Sequence, residues 1–164
     1  MNVSGMVKLV FTFFLVEETL PMDKLLDLSA LQNAIASLGD GLEVVSDPDW
    51  FNDQTDKVQN TLISGVVKNF EFVFEVSIKM LKRMMELESS SPTEVDESSF
   101  KDLLRTAGEK GLVADVEAWF RYRKMRHITA HTYDHQKAQQ VYQDTLVFIV
   151  DARALLAALE RRNA

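Results

Sequence analysis

Residues 55–88, TDKVQNTLISGVVKNFEFVFEVSIKMLKRMMELE, decide the fold class. Val58, Leu62, Val66, Phe70, Val73, Ser77, Met80, Met84 and Leu87 recur there at three- and four-residue steps. Side chains so spaced share one face of an α-helix and keep it buried. At about 1.5 Å per residue the helix is about 50 Å long, the spine of the molecule. Gly65 is its weak point, costing about 1 kcal/mol against Ala in a helix interior. Glu71, Glu75 and Lys79 stand at four-residue steps on the same helix and read as ordinary exposed charges.

On the N-terminal side, Leu28, Leu31, Ile35, Leu38 and Leu42 form a second amphipathic stripe. Ser29 and Gln32 have capping-box spacing and are expected to start that helix; Ser46, Asp47 and Pro48 are expected to end it. On the C-terminal side, residues 89–99 (SSSPTEVDESS) are polar and acidic, contain Pro92 and read as a loop. Phe100, Leu103, Leu104 and Ala107 mark a short helix closed by Gly108 and Gly111. Asp115 is expected to cap a helix carrying Val116, Trp119 and Phe120, and Asp134 to cap the last one. The stripe of that last helix is Ala138, Val141, Tyr142, Leu146, Ile149, Val150, Leu156 and Leu159. Trp119 and Phe120 read as core or dimer interface rather than as platforms for stacked bases. Pro21, Pro48 and Pro92 all fall at joints between elements. The expected fold is all-α: an up-and-down four-helix bundle with one short extra helix.

Composition agrees. The chain has 164 residues, 46% hydrophobic and 26% charged, the balance of one soluble domain large enough to bury a core. Six Gly and three Pro argue against an all-β fold built on many turns. Lys and Arg number 18 against 25 Asp and Glu, a net charge of −7, so any contact with nucleic acid must be local. Cysteine is absent, which excludes disulfides, thiolate catalysis and Cys-ligated metal centres and fits a cytoplasmic setting. Residues 6–16, MVKLVFTFFLV, are apolar but shorter than the roughly 20 residues that span a bilayer. They carry neither the head nor the cleavage site of a signal peptide. Residues 1–21 are expected to be an extension ahead of a working start at Met22; the alternative is an apolar arm that packs on the body or on a neighbour. Residues 22–164 are expected to form the bundle domain.

The chemistry concentrates in residues 121–138, RYRKMRHITAHTYDHQKA. All three histidines, His127, His131 and His135, lie there, with Arg121, Arg123, Lys124, Arg126 and Lys137 against the single acid Asp134. An acidic protein thus carries a basic, imidazole-rich patch at a junction of two helices, where free N–H groups help hold an anion. Arg126 offers a planar fork of donors for phosphate, and His131 can take or give a proton near neutral pH. Together they suffice to cleave RNA: a base takes the ribose 2′-hydroxyl proton and a guanidinium stabilises the charged phosphorus centre, with no metal. Positions five apart on a helix differ by about 140° around its axis. Arg126 and His131 therefore converge only where the helix ends between them or the long Arg reaches round. Plainer readings exist. Arg126 can be a solvated helix-end cation, and Tyr133 a capping or core residue. The i, i+4, i+8 histidines would invite a metal on an unbroken helix. Residues 132–134 read instead as a helix boundary, and no metal is expected.

Arg126, four intervening residues, His131, one residue and Tyr133 resemble the R-x4-H-x-Y motif of the HepT-like family, the nucleotidyltransferase substrate-binding branch of the HEPN superfamily. Phe70-Glu71-Phe72-Val73-Phe74-Glu75 followed by Lys79 resembles the branch's long helix. Lys110 to Asp115 with Trp119 resembles the approach to the motif, and His131-Thr132-Tyr133-Asp134 its ending. The likeness runs from about residue 22 to 160 in order. It implies a HEPN bundle that forms a homodimer, with two motif copies facing a shared cleft. It also implies a metal-independent ribonuclease toxin of a type VII-style toxin–antitoxin pair, with RNA as substrate and no cofactor. The antitoxin partner is a minimal nucleotidyltransferase that transfers AMP from ATP to the motif tyrosine, here Tyr133. On this likeness Arg126 and His131 are the catalytic pair, with the basic neighbours His127 and Arg123 supporting them. One departure stands out: the family commonly has Asn directly after the motif Arg, where this chain has His127. Two function classes stay open, a ribonuclease and a non-catalytic subunit that presents nucleotide or target to the transferase.

Overall fold

Thr55 starts the longest helix: its hydroxyl accepts the Val58 N–H at 3.4 Å, leaving Asp56 as the first helical residue. The computed structural model describes residues 25–129 and 135–164, the stretch 135–139 by its backbone only. These residues form seven helices and no strand. They are α1 (Ser29–Ser46), α2 (Pro48–Asn52), α3 (Asp56–Glu88), α4 (Pro92–Glu97), α5 (Phe100–Glu109), α6 (Val116–Thr129) and α7 (His135–Arg162). Four of them, α1, α3, α6 and α7, make the bundle, as the apolar stripes require.

The directions follow from paired contacts. Asn69 of α3 donates to the Ser37 carbonyl of α1, and Gly41 lies against Val66, so α1 and α3 are antiparallel. Glu75 meets Arg126 while Glu88 meets Lys110, so α6 runs back along α3. Phe70 meets Phe148 and Glu88 meets Arg162, so α7 runs parallel to α3 and antiparallel to α1. Where the main helices meet, Phe70, Phe74, Trp119, Tyr122 and Phe148 interlock, with edge-on ring pairs at 4.8 Å (Phe70–Phe148) and 4.9 Å (Tyr122–Phe148). At one end Glu88 accepts from Lys110 and Arg162, at 3.3 and 3.0 Å. There, too, the Asn163 amide bonds both backbone groups of Leu26.

Several expectations need correction. Ser29 and Gln32 form no capping box; Leu28 is the cap residue and the Ser29 N–H donates to Asp27 Oδ1 instead. Residues 89–99 are not all loop, because Pro92 opens α4. Pro48 likewise opens α2, after Asp47 accepts from the Asp49 and Trp50 N–H groups. Both follow from proline's fixed φ, which suits the first helical turn as well as a break. The buried part of α3 is wider than one stripe: Ile63, Glu71, Phe74, Leu81 and Met85 are covered too, while Val58 and Leu87 near its ends are exposed. The helix packs against α1, α4, α5, α6 and α7, so neighbours cover more than one face.

The face of α7 is also shifted. Val141, Thr145, Phe148, Ile149, Ala152, Leu155 and Leu159 are buried, whereas Leu146 and Val150 are 40% and 62% exposed. Residues 145–150, TLVFIV, are nearly all apolar, so periodicity alone does not choose a face. Thr145 sits inside because its hydroxyl donates to the Val141 carbonyl at 2.7 Å. The extension 1–21 with Met22, the Pro21 joint and the Asp134 cap lie outside the described residues.

Candidate functional site

The basic patch is presented by α6. Gly111, with φ of +72°, turns the chain after α5; a side chain would strain that left-handed geometry. Asp115 then accepts the Ala118 N–H at 3.0 Å and starts α6, as its position in the sequence leads one to expect. Ala118, Trp119, Tyr122 and Met125 turn inward. Arg121, Arg123, Lys124 and His127 turn outward and are exposed, so the outer face of α6 is cationic on an acidic molecule. Arg123 is committed to α5: its guanidinium lies over the Phe100 ring, 4.3 Å from the centroid. Arg121 lies 3.6 Å from Asp115. Phe120 packs against Phe100 beneath this surface, and Trp119 is fully inside.

Arg126 occupies the last turn of α6 and reaches across to α3. Its Nε donates to Glu75 Oε1 at 2.8 Å, its Nη2 donates to the same oxygen, and its Nη1 is 3.8 Å from Glu71 Oε1. The two carboxylates differ sharply. Glu71 is buried, its side chain 8% exposed, whereas that of Glu75 is 54% exposed. Lys68 closes the far side of Glu71, its Nζ 2.7 Å from Oε2. Burial pushes the Glu71 carboxyl up. The Lys68 ammonium, the Thr129 hydroxyl and the Arg126 charge outweigh that push and hold it below the ordinary carboxylate range. The single Thr129 hydroxyl proton is shared between Glu71 and the Arg126 carbonyl, whose oxygen is 3.0 Å away.

Of the residues singled out in the sequence, Arg126, His127 and Arg123 are thus on one helix end, with Arg126 pointed at α3 and Arg123 at α5. His131 and Tyr133 lie outside the described residues, as does the side chain of His135 at the start of α7. Of the acids read as ordinary exposed charges, Glu75 is exposed but paired with Arg126, whereas Glu71 is in the interior and also meets Arg126. The signal was present as two acids threaded through an aromatic run, Phe70, Phe72 and Phe74, where a solvated face would be polar. Among the described residues, no group of three or more His, Asp or Glu is disposed to hold a metal, and no helix is long and apolar enough to cross a membrane.

An all-helical bundle whose cationic helix end is clasped by carboxylates of its central helix defines the class. Residues 26–161 match the family described as nucleotidyltransferase substrate binding protein like, and the chain belongs to that family. It is 41% identical over 138 residues to a probable ribonuclease HepT of Haemophilus influenzae, covering 84% of this chain and 94% of that protein. It also resembles the solved structure of HI0074 from Haemophilus influenzae, described as the fold of a substrate binding domain of a nucleotidyltransferase. That likeness has a TM-score of 0.80 and 40% identity over 82% of this chain and 99% of the other.

Proposed function

We propose that this protein is a HepT-like, metal-independent ribonuclease, the toxin of a type VII-style toxin–antitoxin pair. In this reading a minimal nucleotidyltransferase restrains it by adding AMP to Tyr133. His131 takes the proton of a ribose 2′-hydroxyl as that oxygen attacks the adjacent phosphorus. Arg126 stabilises the charge that builds on the phosphoryl oxygens, and the 5′-oxygen leaves as the free hydroxyl on taking a proton from water, with a 2′,3′-cyclic phosphate left behind. The observation that carries the reading is the posture of Arg126: a guanidinium at a helix end, part-exposed and held at a fixed place, on a chain so similar to a probable ribonuclease. In the restraining step the Tyr133 oxygen bonds the α-phosphorus of ATP, pyrophosphate leaves and the phenolic proton is released. The added phosphodiester beside Arg126 and His131 then fills the place RNA needs. An active unit of two copies is supported by the apolar strip Leu146, Val147 and Val150 exposed along α7. In this reading the protein acts in the cytoplasm, on cellular RNA.

A second reading keeps the same partner without the chemistry: a subunit that binds nucleotide or target for the transferase. The two carboxylates on Arg126 favour it, because they occupy donors a phosphate would use. Incubating the unmodified protein with bulk RNA and tRNA in EDTA separates the two. Cleavage that is lost in His131→Ala supports the ribonuclease; intact RNA, with harmless induced expression, leaves the binding subunit.

A further inference from the structure

The two acids that meet Arg126 do different jobs. Glu71 is built into the interior of α3, its side chain only 8% exposed, with the exposed Lys68 ammonium 2.7 Å from Oε2 and Arg126 Nη1 3.8 Å from Oε1. Glu75, one turn further along α3, is more than half exposed and places a single oxygen on both Nε and Nη2 of the guanidinium. That edge, with two parallel N–H groups, is one a phosphate also uses in bidentate recognition. An exposed ion pair is weak and exchanges readily with a competing anion. We propose that the Glu75 carboxylate is an exchangeable occupant of the Arg126 phosphate edge, while the buried Glu71 carboxylate is the positioning residue that keeps the guanidinium at the surface of the site. The inference rests on the reading of Arg126 as a phosphate-binding group. It adds a built-in competitor: a nucleic-acid phosphate must displace Glu75, and Arg126 remains on Glu71 when it does. Net affinity for RNA is thereby held down, and a single stray anion gains less than a polyanion that brings further contacts along the cationic face of α6.

The test is fluorescence anisotropy with a labelled 2′-O-methyl oligoribonucleotide, which lacks the attacking hydroxyl and reports binding alone. Glu75→Gln should bind about twofold to fivefold tighter than the unmodified protein at low salt, the range an exposed pair supports. Glu117→Gln, an exposed acid in the first turn of α6, removes the same charge and should change binding less. In an Arg126→Ala background the Glu75→Gln gain should vanish. Glu71→Gln should weaken binding when Arg126 is present and have no effect when it is absent, a coupling that a general loss of structure would not produce. Unchanged or weaker binding in Glu75→Gln, or a gain that persists without Arg126, overturns the exchange. Equal losses from Glu71→Gln with and without Arg126 overturn its positioning role. Arg126→Ala binding as tightly as the unmodified protein instead removes the phosphate-site reading on which the inference rests.

Discussion

The Tyr122 hydroxyl donates to Asp151 Oδ2 at 2.5 Å, joining α6 to α7 one helical turn before Arg126. Burial, then the hydrogen bond and the charge of Asp151, push the Tyr122 phenol above the ordinary tyrosine range. A group whose folded pKa is raised contributes stability that is fully present below its unfolded pKa, about 10, and is lost as pH climbs through the folded value. Thermal melts of the unmodified protein should therefore fall off above about pH 10. Tyr122→Phe should lose about 1–2 kcal/mol at neutral pH, the worth of a hydrogen bond to a part-exposed charged acceptor. Its melting temperature should then change less with further alkalinity.

Glu71 has the opposite sign. Its carboxyl is held low in the folded protein, so its contribution is present above the unfolded value, about 4.3, and is lost as pH falls through the folded one. Glu71→Gln should cost about 1–2 kcal/mol at pH 7 in chemical denaturation. The same variant should show a shallower loss as pH falls below about 5, read as a smaller proton uptake on unfolding than that of the unmodified protein.

Two glycines should respond in opposite directions. A Cβ at Gly65 meets nothing within 4 Å on the exposed side of α3, so Gly65→Ala should stabilise by about 0.5–1 kcal/mol. A Cβ at Gly108 would lie 2.6 Å from Val116 Cγ2, where α5 and α6 close on each other. Val is stiff about its first side-chain bond, so Gly108→Ala should destabilise by about 1–3 kcal/mol. Paired denaturation curves read both.

Cleavage of tRNA or bulk RNA should be unchanged by EDTA. His131→Ala and Arg126→Ala should each slow it by about 100-fold to 10,000-fold, the range for losing a proton-transfer group or a charge stabiliser. Arg126→Lys should not restore the rate, because an ammonium has no planar fork to share between Glu71, Glu75 and a phosphate. Single-turnover rates on one substrate give the comparison.

Intact mass after incubation with the nucleotidyltransferase and ATP should rise by one or more AMP groups. The gain should be absent in Tyr133→Phe and should coincide with loss of cleavage. A gain retained in that variant would move the acceptor elsewhere.

What could be read from the sequence was local. Asp115 and the spacing around Phe70 announce a helix start and a buried face, because caps and periodicity act within a few residues of each other. The clasp on Arg126 was not legible: Glu75 and Arg126 are 51 positions apart, and nothing near either one marks the other. An acid at four-residue spacing looks solvated until the neighbouring helix is laid over it, which is what happens to Glu71. The face of α7 failed for a different reason. TLVFIV offers apolar side chains all round the helix, and Thr145 is inside because it can satisfy its own hydroxyl. Pro92 was ambiguous in itself, since the residue that breaks one helix also begins another.

The Asn163 amide reads both the N–H and the C=O of Leu26, at 2.7 and 2.8 Å. Residues far apart in order are thereby adjacent in space. The seam lies at the pole that holds Glu88, and the polar turn at 89–91 is beside it. A fluorophore attached in that turn would sit about 20 Å along α3 from the Arg126 clasp and leave it open to a polyanion.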